Sequence, residues 1–307
     1  MKYERKIKVN DRFFSDGKKC AFWKESDTVA WIKLLSLPAN GKKKVLKFEN
    51  DCASPASNVP NTFIREIDGA QPVKGSWHLD EGSGNTTKDS SGQGNDGTLV
   101  NGPTWVDGKY GKALSFNGSD DYVSTPLSLN TVPKTYEAWI YHPTISGGWK
   151  WIIGNDNGNY NGHFIVTNGS TAKFEFVYCY PSTCDSYPSN STLSPNQWYH
   201  VVASVSSTNV KIFINGILDK EYSELSIGTV SGVSHVIGKH SAVSSYYFNG
   251  IIDEVRIYNR ALSAEEISDL YGTGGDRHGY TTTNYPGRVL VRKYASPEPT
   301  VSIISNT

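Results

Sequence analysis

The carboxylates are the residues of this chain whose neighbours carry chemical information. In the run 248–258 (FNGIIDEVRIY), strict alternation puts Ile251, Asp253, Val255 and Ile257 on one face of a strand. Ile252, Glu254, Arg256 and Tyr258 take the other face. Asp253 then stands in an aliphatic row, where a carboxylate must be neutralised, hydrogen-bonded or bound to a cation. Hard oxygen ligands select Ca2+, which takes carboxylates, carbonyls and water. The other candidate ligands are Asp80 and Glu81, Asp89 and Asn95 in DSSGQGND, and Asp121 next to Asp120. The competing reading has Asp253 accept backbone N–H groups or pair with an arginine, and has Asp89 cap a turn.

Hydrolysis of a glycan by the retaining route needs two carboxylates facing one cleft, about 5–5.5 Å apart. Asp80-Glu81 and Asp120-Asp121 are adjacent in sequence, and adjacent strand residues point opposite ways. The chain has no Gly-x-Ser-x-Gly, no His-Glu-x-x-His and no phosphate-binding glycine loop, and its seven histidines are scattered. These absences favour binding over catalysis. Sugar binding asks for aromatic rings to stack on sugar faces and for Asn, Asp and Gln to bond the hydroxyls. Residues 145–162 (ISGGWKWIIGNDNGNYNG) and 178–187 (YCYPSTCDSY) are rich in both. Trp149, Tyr160, Tyr180, Tyr187, Tyr246 and Tyr247 are the candidate ligand-binding residues; the competing reading packs each ring beneath its own loop.

The elements that must position these groups are strands. Gly, Asn, Ser, Thr and Tyr abound, and the one methionine is Met1. Strand-like runs recur from Gly75 to Tyr258 with turn signals between them, and Asn215-Gly216 is a type I′ hairpin signal. One convincing helix follows, begun by the capping-box pair Ser263 and Glu266 and stopped at Gly272. The fold class is therefore all-β, an antiparallel sandwich or jelly roll. The formal net charge is zero but uneven: +6 over residues 1–75, −8 over 76–275 and +2 over 276–307. The acidic middle argues against nucleic acid. Cys179 and Cys184 lie in one turn-rich stretch, and Cys20 and Cys52 lie in the N-terminal part. Pairing within each set follows from proximity, although four cysteines allow three connectivities. Sequons at Asn85, Asn117, Asn168 and Asn190 fit an extracellular or cell-surface setting. No signal peptide and no stretch long enough to span a membrane is read in the chain.

Two resemblances refine this picture. The run NDRFFSDGKKCAFWKESDTVAWIKLLSLPANGKKKVLKF resembles a bacterial and archaeal domain of unknown function, a small β-sandwich of secreted and surface proteins. The resemblance rests on Phe13–Gly17, Phe22–Glu25, Trp31–Lys33 and Leu37–Gly41, and the extra Cys20 and Cys52 depart from it. Further on come GSWHLDEGSGNTTKDSSGQGNDGTLVNGPTWVDGKYGKALSFNGSDDYV, YEAWIY, QWYHVVASVSSTNVKIFINGILD and FNGIIDEVRIYNRALSAEEISDLY. These blocks resemble, in family order, the laminin G-like, concanavalin A-type jelly roll. That resemblance implies a two-sheet lectin/glucanase sandwich and places Trp77, Trp105, Trp139, Trp151 and Trp198 in its core. It also implies a structural Ca2+ between the first loop and the last strand. The Glu-x-Asp-x-x-Glu strand of the glucanase relatives is absent, since its nearest match at Glu66 ends in Gln71.

The expected organisation is an accessory β-sandwich over 1–60, a connector over 61–74, the jelly roll over 75–272 and a tail over 273–307. The tail's strand Val289–Tyr294 is expected to return and complete the accessory sandwich. The expected function is non-catalytic recognition of a glycan or cell-surface partner. The alternatives are a self-associating surface-layer, pilus or virion component and, last, a glycoside hydrolase.

Overall fold

The computed structural model describes residues 63, 65–67 and 72–294, apart from 160, 181, 182, 231, 232, 243, 284 and 285, together with the backbone of five strands before residue 51. The chain divides into two compact units: residues 1–67, 276–280 and 289–307, and residues 68–275 with 281–288. In the first unit, β1 (Lys2–Glu4), β2 (Asp11–Ser15), β3 (Lys18–Lys24), β4 (Val29–Lys33) and β5 (Leu46–Asn50) form one sheet in the order β1-β4-β3-β2-β5, with all pairs antiparallel. Ser15 faces Lys18 on either side of Asp16-Gly17, the turn signal of the sequence. The strand β6 (Arg65–Ile67) follows. Cys52, and with it the Cys20–Cys52 pairing, lies outside the described residues.

The second unit contains β7 (Val73–Trp77), β8 (Thr86–Thr87), β9 (Gly97–Val100), β10 (Thr104–Asp107), β11 (Lys112–Asn117), β12 (Tyr122–Ser124), β13 (Lys134–Tyr141) and β14 (Trp149–Asp156). It continues with β15 (Gly162–Asn168), β16 (Lys173–Tyr180), β17 (Thr183–Pro188), β18 (Trp198–Val205), β19 (Val210–Ile214), β20 (Ile217–Tyr222), β21 (Val236–Ile237), β22 (Asn249–Tyr258) and the helix α1 (Ala264–Tyr271). Two antiparallel sheets result. The first runs β10-β11-β22-β13-β18-β19-β20, with β7 also paired to β22; the second runs β17-β16-β15-β14-β21-β12-β9-β8. This is the expected jelly-roll sandwich, and the aliphatic and aromatic side chains between its sheets form one core. Trp77, Ile140, Phe174, Phe176, Val201, Ile212, Val255 and Ile257 belong to it. Asn215 and Gly216 both adopt positive φ (52° and 75°), as a type I′ hairpin requires. At α1, Ser263 Oγ accepts the Glu266 N–H (3.2 Å) and Glu266 returns a carboxylate oxygen to the Ser263 N–H (2.9 Å), which completes the capping box.

The last two strands, β23 (Arg277–Tyr280) and β24 (Val289–Lys293), belong to the first unit, and β24 lies between β23 and β6. Among the described residues the tail strand thus pairs with Arg65–Ile67 rather than with a strand of the five-stranded sheet. Its partner comes from the segment read as a connector. The Ser/Pro/Asn content of that segment masked a short alternation, from which Phe63 and Ile67 are buried.

β22 is central in its sheet. β13 flanks it on one side, while β11 and then β7 share the other. The alternation expected for it does not hold. Opposite β13, Glu137 pairs with Arg256 but Trp139 pairs with Asp253, so Glu254 and Val255 together face Ala138. This is a β-bulge, and Glu254 takes φ +51° to make it. Ile252, Val255 and Ile257 therefore enter the core. Asp253 does not share the face of Val255 and Ile257; with Arg256 and Tyr258 it occupies the outer face.

That outer face is itself buried. Tyr271 of α1 stacks on Trp139 (5.7 Å between ring centroids), and Tyr110 meets Trp139 edge-on (5.5 Å). Beneath them Arg256 bridges two carboxylates, donating from Nη1 to Glu137 (3.1 Å) and from Nη2 to Glu254. Glu137 also receives His200 Nε2 (3.0 Å) and the Tyr258 hydroxyl (2.5 Å), and Glu254 faces His78 Nδ1 (2.9 Å). Burial opposes ionisation of Glu137, yet Arg256, His200 and Tyr258 hold its carboxyl below the usual range. Arg256→Met leaves two buried carboxylates without their cation. It is expected to lower the unfolding free energy by about 3–5 kcal/mol in urea titrations; a loss under about 1 kcal/mol would show that the bridge does not hold the strand.

Candidate functional site

The second sheet also carries side chains on the face turned away from the core. Its register aligns Trp149 with Asn168, Trp151 with Val166 and Glu175, Phe164 with Val177 and Ser186, and Cys179 with Cys184. Trp151, Phe164, Val166, Val177 and Cys179 make a second apolar cluster, against which Trp149 and Cys184 pack. Cys179 and Cys184 form a disulfide across the β16–β17 hairpin, with Cα atoms 4.0 Å apart. Trp151 stacks on Phe164 (4.1 Å) and packs against His240 (4.6 Å).

Two of the candidate aromatics meet at the rim of this cluster. Trp149 is half-buried, and its ring lies 5.9 Å from that of Tyr246 at an interplanar angle of 57°. Tyr246 is 44% exposed. Its carbonyl accepts the Trp151 N–H (2.9 Å), which ties its backbone to the sheet. Behind Trp149 lies Glu175, 4% exposed. One of its carboxylate oxygens accepts the indole N–H of Trp149 (3.0 Å) and the Ser186 hydroxyl (2.6 Å), and the other accepts the Asn168 side-chain amide (2.9 Å). The strand ends that carry Trp149 and Asn168 are locked backbone to backbone. The Gly169 N–H donates to the Gly148 carbonyl (3.0 Å), and a Cβ at Gly169 would lie 2.2 Å from the Ser146 carbonyl oxygen.

The remaining candidates lie elsewhere. Tyr187 is in the main core, against Phe176 and Tyr222. Tyr180 packs on that core from the end of β16 and donates its hydroxyl to Asp185 (3.2 Å). Tyr247 is half-buried next to Tyr246, and Tyr160 lies outside the described residues. The tract read as the loop 178–187 is mostly hairpin, so alternate residues diverge to opposite faces: the cysteines outward, Tyr178 and Tyr187 inward. Trp151, which the family resemblance placed in the core, is buried in the outer cluster instead. Glu175 was not singled out from the sequence. Its signal was the alternation Phe174-Glu175-Phe176-Val177, which puts a carboxylate between two core phenylalanines.

The candidate calcium-binding carboxylates share one role: their oxygens accept backbone N–H groups. Asp89 accepts from Ser76 (3.0 Å), Ser91 (2.9 Å) and Asn95 (2.8 Å). Glu81 accepts from Lys88 (2.8 Å), Asp80 from Lys112 (2.7 Å) and Asp121 from Asn117 (3.0 Å). Asn95 directs its amide to the Lys74 carbonyl (2.8 Å). Asp253 Oδ2 accepts from Lys109 (2.8 Å) and Tyr110 (3.0 Å) and so fixes the turn between β10 and β11; its Oδ1 has no hydrogen-bond partner. N–H donors aimed at a carboxylate oxygen repel a cation, and the candidate carboxylates are not gathered into one ligand set among the described residues.

Burial, then the charge of Glu254, pushes the Asp253 carboxyl well above its ordinary value. Asp80 reaches solvent, but the protein packed around its carboxyl, followed by Glu254, pushes it up to about 7. Both groups therefore bind protons more tightly in the folded than in the unfolded state. Their stabilising contribution is complete below about pH 4 and is lost as pH rises, through about 7 for Asp80. Asp253→Asn keeps an oxygen for the two N–H groups and is expected to flatten the fall of the calorimetric midpoint between pH 4 and 8; an unchanged slope would remove Asp253 from the account. Asp253→Ala strands both donors and is expected to cost about 1–3 kcal/mol. Millimolar Ca2+ is expected to leave the midpoint unmoved, and a Ca2+-dependent rise that vanishes in Asp253→Asn would show a metal at this residue.

Residues 117–268 match the family described as the concanavalin A-like lectin/glucanases superfamily, laminin G type. The chain is similar to domain 4 of AbnA, a GH43 extracellular arabinanase from Geobacillus stearothermophilus solved with arabinotriose. That likeness has 20% identity and a TM-score of 0.52, and covers 65% of this chain and 98% of that one. It is also similar to the binding domain of Paraclostridial Mosquitocidal Protein 1, with 18% identity, a TM-score of 0.53, and 65% and 51% coverage. A third likeness is to Trypanosoma rangeli sialidase solved with sialic acid, with 14% identity, a TM-score of 0.51, and 66% and 33% coverage. The chain thus spans the whole of the first, half of the second and a third of the last. No curated protein matches it. At these identities the three likenesses speak for the fold, and they agree with the family match and the two-sheet topology. By that match, the jelly roll of this chain belongs to the laminin G-like members of the concanavalin A-like lectin/glucanase superfamily.

Proposed function

We propose that the jelly roll is a non-catalytic carbohydrate-recognition module of an extracellular or cell-surface protein, and that it binds through the outer face of its second sheet. The supporting observation is the Trp149–Tyr246 corner: two rings 5.9 Å apart, one half-buried and one 44% exposed, set over a sealed apolar cluster. Sugars present apolar C–H faces to such rings, and preorganised rings lose little entropy on binding. The Cys179–Cys184 disulfide accords with an oxidising compartment. Two of the similar structures hold sugars, arabinotriose in AbnA domain 4 and sialic acid in the sialidase, which makes glycan the first ligand class to try.

Two carboxylates of the second sheet support the non-catalytic reading. Glu175 is held by three donors, and Asp156, at the far end of β14, accepts the Gly158 N–H (2.6 Å) and stands 4.0 Å from His240. Neither is poised toward a partner carboxyl across a cleft. A screen of the protein against a glycan array, followed by calorimetry on the best ligand, tests the proposal. Trp149→Ala and Tyr246→Ala are each expected to weaken binding about tenfold, Tyr246→Ala without shifting the thermal midpoint of unfolding by more than a few degrees. Undiminished binding by both variants would move the site elsewhere, and release of reducing sugar from the ligand would contradict the non-catalytic reading.

A further inference from the structure

Glu175 differs from the two buried glutamates of the first sheet. Glu137 and Glu254 share the Arg256 guanidinium. The three groups bonded to Glu175 are an indole, a hydroxyl and a side-chain amide, all neutral. Each donates, and together they occupy both of its oxygens. Among the described residues no lysine, arginine or histidine pairs with it, and Lys173, two positions earlier on the same strand face, makes no ion pair to it. A carboxylate 4% exposed and without a counter-ion is costly in the free protein.

The charge also reaches the rim through Trp149. An indole whose N–H donates to a carboxylate is polarised, and electron density shifts toward its ring face. Tryptophan is already the best aromatic acceptor for a cation, which binds within about 6 Å of the ring centroid. Tyr246 adds a second, 44% exposed ring beside the first, at 5.9 Å and 57°. The net −8 of residues 76–275 attracts cations to this unit from a distance.

Resting on the carbohydrate reading of the same corner, we infer that the Trp149–Tyr246–Glu175 constellation selects ligands that carry a positive charge, and that its glycans are amino sugars with free rather than acylated amines. Glu175 acts as the specificity-determining residue. It stays behind the indole and supplies the counter-charge, while the rings supply the contact.

Calorimetry with a glucosamine tetramer and with the N-acetylglucosamine tetramer at pH 6 separates charge from sugar shape. The free amine is expected to bind at least tenfold more tightly. Glu175→Gln is expected to cut that preference below about twofold. Should Glu175→Gln fail to fold, the salt dependence of the wild type reads the same quantity: binding of the amine weakens between 50 and 500 mM NaCl and binding of the acetylated sugar does not. Equal binding of the two tetramers, or preference for the acetylated one, overturns the inference and leaves the carbohydrate proposal standing. If neither sugar binds but tetramethylammonium shifts the indole fluorescence of the wild type and not of Trp149→Phe, the cation site stands and the carbohydrate proposal falls. Silence of both sugars and of tetramethylammonium overturns both.

Discussion

The jelly roll depends on how one buried guanidinium is accommodated in its central strand. Arg256 cannot face the core, yet Val255 and Ile257 on either side of it must. The alternation needed around Arg256 is out of step with the alternation needed around Ile252, and one extra residue reconciles them. Glu254 supplies that residue by taking a left-handed conformation that few non-glycine residues adopt. The strained residue is also one of the two carboxylates that hold the guanidinium. Without Arg256 a buried Glu254 would lose its main counter-charge. A one-residue slip of β22 would invert every side chain along it, and the network makes that slip expensive.

The bulge also decides what Asp253 does. Turned outward, it lies against the turn between β10 and β11, whose N–H groups at Lys109 and Tyr110 converge on one oxygen. That turn in turn places Lys109 Nζ over the Trp139 ring, 4.6 Å from its centroid, and Tyr110 against the edge of the same ring. Tyr271 covers the opposite side. The outer face of the first sheet is thus closed by a helix and a hairpin that answer to β22, through a carboxylate whose proton affinity is raised by its burial.

Much of this fold can be read from residues in sequence. Asn215-Gly216, Ser263 with Glu266, and the alternation of β13, β16 and β18 are local signals, and each element they specify is present. The bulge is not legible, because a two-residue period carries no mark where one residue is inserted; alternation therefore puts Asp253 on the face of Val255 and Ile257, which it does not share. The ligand-site reading separated for a related reason. Composition located Trp149 and Tyr187 equally well, but a strand sends neighbours to opposite faces. Whether an aromatic lies in the core or at the rim is decided by its parity relative to the hairpin turn. Parity kept Tyr187 inside and put Glu175 outside, although Glu175 sits in a tract as apolar as any in the chain. The pairing of β6 with the tail strand was hidden differently, since it joins segments more than two hundred residues apart and no local pattern records a partner.

The two outer faces then differ in how they treat buried charge. On the first sheet Glu137 and Glu254 are matched, by the guanidinium, by an imidazole or by a tyrosine hydroxyl, and the aromatic rings seal the network from water. On the second sheet Glu175 is solvated by neutral dipoles alone, and the ring that donates to it stands half in solvent. A matched network gains nothing from a further ligand, because its charges are already compensated. A carboxylate stabilised only by dipoles retains an unbalanced field, and the polarisable ring between it and solvent is the route by which that field can act on something outside. Structural rigidity and ligand choice are thus divided between the sheets by a single chemical distinction, whether a buried carboxylate has its cation within the fold.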